Sequence, residues 1–92
     1  MSDIIYKYEL SLGLTSLRFP LDAEVLSAQM QDGKLCIWVK QPEPVIATRV
    51  LQQRTFLVVG TGRSLKGIFT HIDTVQDGSF VWHVFEKAYN GL

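Results

Sequence analysis

The chain has a single cysteine, Cys36, so no internal disulfide can close; this suits a reducing compartment, although a bridge between two chains stays open. Excess charge is lacking too, since nine basic side chains balance nine acidic ones. With no net field to draw in a polyanionic duplex or an anionic bilayer, general nucleic-acid and membrane-surface binding are disfavoured. No apolar run approaches the length of a membrane span, and the first residues reach Asp3 and Lys7 too soon for a secretory signal. The expected location is cytoplasmic. Also missing are the spacing of a P-loop, of a dinucleotide-binding turn and of a metal-ligand set, and any run of nucleophile, base and orienter. The expectation is therefore a protein that is not an enzyme and takes no cofactor and no metal.

What remains is strand-forming. Hydrophobic residues make up 47% of the 92 and charged ones 20%, a balance that excludes a disordered tail and suits one domain, residues 1–92, around one core. So much apolar side chain in so short a chain also favours a homo-oligomer that hides more of it. Asp32-Gly33 and Asp77-Gly78 each separate runs of β-branched and aromatic residues, the pattern of a tight hairpin. Around the first, Val25 to Gln31 returns as Lys34 to Lys40, and alternation puts Leu26, Ala28, Met30, Leu35, Ile37 and Val39 on a core face. Val25, Ser27, Gln29, Cys36, Trp38 and Lys40 take the other face. Around the second, Ile68 to Gln76 returns as Ser79 to Glu86, with Val75 opposite Phe80, Asp73 opposite Trp82 and His71 opposite Val84. Neither face of this hairpin is wholly polar, so both are expected to be covered. A further hairpin is expected from Ile4 to Leu12 and Thr15 to Phe19, broken at Gly13 and ended by Pro20. Gln41 to Gln53, with Pro42 and Pro44, reads as a loop with a helical turn, and Lys87 to Leu92 as a tail. The sum is an all-β fold, a small antiparallel sandwich or partly open barrel of six or seven strands.

Three groups of residues are candidates for chemistry. Gly60-Thr61-Gly62-Arg63-Ser64 has the parts of an anion cradle: glycines admit close approach, hydroxyls and amides donate, and Arg63 offers a fork to phosphate. The plainer reading is a strand connection that uses glycine for positive φ. Arg54 precedes the same strand and is a second candidate charge partner. Trp38 and Trp82 are either core or stacking surfaces for a base. His71 and Asp73, two apart on a strand, share a face and would suit a general base with its orienter, yet no partner nucleophile stands near; a cross-strand polar pair is the alternative. His83 falls on the opposite face from His71, so the two are not expected to chelate one ion.

The phrases Ala23-Glu24-Val25-Leu26, Leu35-Cys36-Ile37-Trp38, Val59-Gly60-Thr61-Gly62 and Phe80-Val81-Trp82-His83-Val84-Phe85-Glu86 resemble a family of short phage and prophage proteins. The likeness covers most of the chain and is loosest in Gln41 to Gln53. It departs at Arg63-Ser64, where that family often carries histidine and then proline. It implies a setting, the cytoplasm of a phage host, and a role that needs occupancy and no chemistry: countering host immunity by binding and sequestering a nucleotide-derived signalling molecule. On that reading Gly60, Thr61, Gly62 and Ser64 hold phosphate or ribose, Arg63 and Arg54 neutralise charge, and Trp38 or Trp82 stacks. Two other roles stay open, direct inhibition of a host defence protein and a small hydrolase built on His71 and Asp73.

Overall fold

The computed structural model describes residues 2–43 and 50–88 and is all-β. Seven antiparallel strands run β1 (Ser2–Glu9), β2 (Gly13–Pro20), β3 (Glu24–Gln31), β4 (Lys34–Glu43), β5 (Leu51–Gly60), β6 (Phe69–Asp77) and β7 (Phe80–Lys87). They form a three-stranded sheet of order β1-β4-β3 and a four-stranded sheet of order β2-β5-β7-β6, not closed into a barrel. The thin dimension is 16 Å, room for two sheets about 10 Å apart and for no third layer among the described residues.

Both sheets contribute to one core. Ile37 and Val39 of β4 and Ala28 of β3 come from the first, Phe56, Val58, Val75 and Val84 from the second, with Phe19 of β2. Phe19 meets Phe56 and Tyr8 edge to face, at centroid distances of 6.1 and 5.0 Å, each contact worth about 0.5–1.5 kcal/mol beyond simple burial. Tyr8 also accepts a hydrogen bond at its hydroxyl from the Gln41 amide, which is how a buried glutamine is satisfied.

The first expected hairpin does not form. Leu10 is buried and its N–H donates to the Leu35 carbonyl, so the chain leaves β1 across the end of the core and enters the other sheet at Gly13. β1 pairs with β4 and β2 with β5, partners far along the chain. The expected loop over Gln41 to Gln53 is also strand at both ends: β4 runs on to Glu43 and β5 begins at Leu51, while the proposed helical turn lies in residues outside those described. Lys87 belongs to β7, and the Ala88 N–H donates to Ile68 O at 2.9 Å; the rest of the expected tail is likewise outside the described residues.

The two expected hairpins are present, with unequal turns. Asp32 and Gly33 both have positive φ, 51° and 78°, the signature of a type I′ turn between Gln31 and Lys34. In the second, Asp77 pairs with Phe80 and the loop residues are Gly78 and Ser79, with only Gly78 at positive φ, 60°, as a type II′ turn requires. The pairing is therefore Val75 with Trp82 and Asp73 with Val84, two residues along β7 from the expected register.

Each hairpin carries one register break. Between Val25 and Ser27 the ladder shifts, so Val25 joins the core and Leu26 turns out to solvent, the reverse of the expected pair. Between His71 and Asp73 the ladder shifts again, and His71 pairs with Phe85. These two bulged strands, β3 and β6, are the facing edges of the two sheets. Asp73 closes the seam between them: one carboxylate oxygen accepts the Ala28 N–H at 3.1 Å and the other its neighbour's, Thr74, at 2.9 Å.

Candidate functional site

Strand directions gather the connections after β1, β3, β5 and β6 at one end of the sandwich, and Trp82 stands at the centre of that end. Gly60 pairs with Trp82 across β5 and β7, and a side-chain carbon on Gly60 would lie 3.4 Å from the indole Cζ3. The ring therefore lies over the Gly60 backbone with just room for a methyl between them. The indole N–H donates to Asp77 at 3.3 Å, and Phe80 stacks on the indole with centroids 5.7 Å apart and planes within 12°. Phe80 itself is 62% exposed, so a large aromatic face is presented to solvent rather than to the core.

Beside this aromatic pair the chain turns sharply. The Arg63 N–H donates to Gly60 O and Gly62 sits at φ 91°, a type II turn that needs glycine at its third position. The turn carries Arg63 out into solvent, where its side chain forms no ion pair among the described residues. A depression of about 540 Å³ lies between turn and hairpin, lined by Gly60, Thr61, Arg63, Ser79, Phe80, Val81 and Trp82. A second hollow shares Gly60, Arg63 and Trp82 and adds Leu12, and a third opens on the far side of the indole beside Lys34 and Asp77.

Four of the residues expected at a ligand site, Gly60, Thr61, Arg63 and Trp82, therefore line one concavity. Gly62 and Ser64 belong to the same exposed loop without lining it. Arg54 does not join them. It stands six positions before Gly60 on an extended strand, about 20 Å away, and each nitrogen of its guanidinium already donates within the fold. Nε and Nη2 donate to the two oxygens of Glu86 at 2.6 and 2.8 Å, Nη1 donates to Ala23 O at 2.8 Å, and the group lies 5.6 Å over the Phe19 ring. The Glu86 hydrogen bond raises the arginine's pKa above its already high ordinary value, burial opposes this, and the Glu86 charge adds to the rise. Trp38 is also elsewhere: between core residues Ile37 and Val39 it points to the opposite side of the three-stranded sheet.

The His71 and Asp73 pair is not assembled. The bulge sends Asp73 into the seam and His71 to the outer face of the four-stranded sheet. There His71 Nε2 meets Thr74 Oγ1 at 2.9 Å, Thr74 Oγ1 meets His83 Nδ1 at 3.2 Å, and His83 Nε2 meets Thr61 Oγ1 at 2.8 Å. The two histidines expected on opposite faces thus share one. Sequence reasoning also passed over Phe80 as a site residue. Its signal was the spacing Phe80-x-Trp82 directly after a turn, where the first aromatic of a same-face pair falls beyond the end of the core.

The fold and this end-on concavity define a two-sheet antiparallel β domain whose concave end is lined by aromatic side chains and an arginine. Residues 1–91 match the model of a family described as a domain of unknown function (DUF7352), and the chain belongs to that family. No curated protein matches it, and no solved structure does. Among the described residues no helix is long and apolar enough to cross a membrane.

Proposed function

We propose that this protein binds a small nucleotide-like molecule at the Trp82 end of the sandwich and holds it without transforming it. The observation that carries the reading is the exposed Phe80 face, stacked on Trp82, beside Arg63, which has no ion pair among the described residues, in one depression. A planar base finds a platform in the first and a phosphate finds a bidentate fork in the second. About 540 Å³ is in the range of small-ligand pockets. The resemblance noted in the sequence supplies the setting, a phage protein keeping a host immune signal from its receptor, where occupancy alone suffices.

Calorimetric titration with cyclic dinucleotides and ADP-ribose derivatives tests this. One member of the panel is expected to give saturable heat, with affinity lowered about tenfold or more by Arg63→Ala, as loss of a charged hydrogen bond of about 1.5–3 kcal/mol requires. Phe80→Ala should weaken the same ligand, and the ligand should be recovered unaltered after denaturation. Silence across the panel, together with retrieval of one host protein by pull-down, would replace the reading by direct inhibition of that protein.

A further inference from the structure

The polar chain on the outer face of the four-stranded sheet meets the ligand end only at Thr61 and has its own chemistry. Without the register break between His71 and Asp73, alternation would leave His71 on the core side. With it, His71 and His83 stand on adjacent strands and aim one ring nitrogen each at a single oxygen, Thr74 Oγ1. His71 and Thr74 are exposed and His83 is half-buried, so the rings face water from which an ion and its remaining ligands can come. His83 has a further property of metal-ligating histidines. Its second nitrogen, Nε2, is held at 2.8 Å by the Thr61 hydroxyl, which fixes the ring plane and, by accepting from an Nε2–H, suits the tautomer whose Nδ1 can ligate.

We propose that His71 and His83 form a binding site for a borderline first-row divalent cation, with zinc as the test ion. The ion takes the position where the Thr74 hydroxyl now bridges the rings. Zinc–nitrogen bonds are about 2.0–2.1 Å long, so each imidazole must close by about 1 Å from its present contact, and the exposed Thr74 side chain must rotate aside or stay as a weak neutral ligand. Imidazole nitrogen selects zinc, copper and nickel over magnesium and calcium, which demand oxygen. No group of three or more His, Cys, Asp or Glu side chains that could hold an ion occurs among the described residues, so the site is open, completed by water. Thr61 is a positioning residue, acting through His83. The site does not rest on the nucleotide reading, and each can fail alone.

Zinc titration of the full chain, followed by calorimetry and by the imidazole and amide resonances in NMR, tests the proposal. Cys36→Ser serves as background to remove the one thiol. One equivalent is expected to bind, with resonance changes centred on His71, Thr74 and His83, and magnesium should produce none. His71→Gln and His83→Gln should each weaken zinc at least tenfold while leaving the amide spectrum of the fold intact. Thr61→Val, which keeps shape and removes the hydroxyl, should weaken it by about tenfold or more. Absence of saturable binding at millimolar zinc overturns the proposal, as does binding that survives both histidine substitutions or that maps elsewhere on the chain.

Discussion

Arg54 and Arg63 are the same side chain on one strand and its following turn, and the fold uses them in opposite ways. At the Arg54 end each of the three nitrogens donates, two to Glu86 and one to the Ala23 carbonyl, with the Phe19 ring beneath. At the Arg63 end the guanidinium stands in solvent beside exposed aromatic surface, with no ion pair among the described residues. Charge of this kind is stabilising only where the structure answers it. Where nothing answers, the group is available to something that is not part of the chain.

The comparison is broken most severely at Arg54. Arg54→Ala removes the ion pair and the Ala23 bond and leaves Glu86 half-buried without its partner, a change expected to cost about 3 kcal/mol in urea unfolding. Arg63→Ala should fall within about 0.5 kcal/mol of the parent, as exposed substitutions do. Because the Glu86 hydrogen bond raises the Arg54 pKa, the arginine's contribution is fully present across the neutral range, below its unfolded value, and is lost as pH climbs through the folded one. The stability gap between parent and Arg54→Ala should therefore be flat across the neutral range. Equal losses at the two arginines would mean that Arg63 is also tied into the fold.

Asp73 comes next. Its carboxylate accepts the Ala28 N–H across the seam, so Asp73→Ala orphans a donor on a buried edge residue and should cost about 1–3 kcal/mol. Hydrogen exchange should locate the loss: the Ala28 amide should exchange faster, while the amides of β5 should follow only the global change. A uniform acceleration would show that the seam does not open separately from the rest.

What the sequence disclosed follows from where its signals are local. An Asp-Gly pair fixes a turn within four residues, so both hairpins, the all-β class and the core residues Ala28, Leu35, Ile37 and Val39 were readable. The pairing of β1 with β4 was not, since nothing between Leu10 and Gly13 distinguishes a hairpin from a step between layers; burial of Leu10 decides it. Bulges were illegible for a related reason. One extra residue at Leu26 or Ile72 reverses the face of what lies beyond it, and only contact with the other sheet selects the site. That single reversal separated His71 from Asp73 and brought it to His83. The exposed turn at Gly60–Arg63 was legible through its glycines and arginine, whereas Arg54 looked equivalent because a sequence shows a charge and not its partner thirty-two positions away.

The two glycines of the turn that presents Arg63 sharpen the comparison at smaller cost, and they act by different physics. Gly62→Ala must place a side chain at φ 91°, a strained backbone for any L residue, and should lose about 1 kcal/mol while distorting the turn that presents Arg63. Gly60 has an ordinary φ and should accept alanine with little backbone penalty. The new methyl would meet the Trp82 ring at 3.4 Å, ordinary contact distance, so its stability should stay within about 0.5 kcal/mol of the parent. Its effect belongs in the indole environment: a shift of Trp82 fluorescence, read in a Trp38→Phe background, with a weaker nucleotide-like ligand if that molecule lies on the Phe80–Trp82 stack. A Gly60→Ala protein with parental stability, parental fluorescence and parental binding would show that the ring does not depend on the space this glycine leaves, and would detach Trp82 from the function assigned to its end of the sandwich.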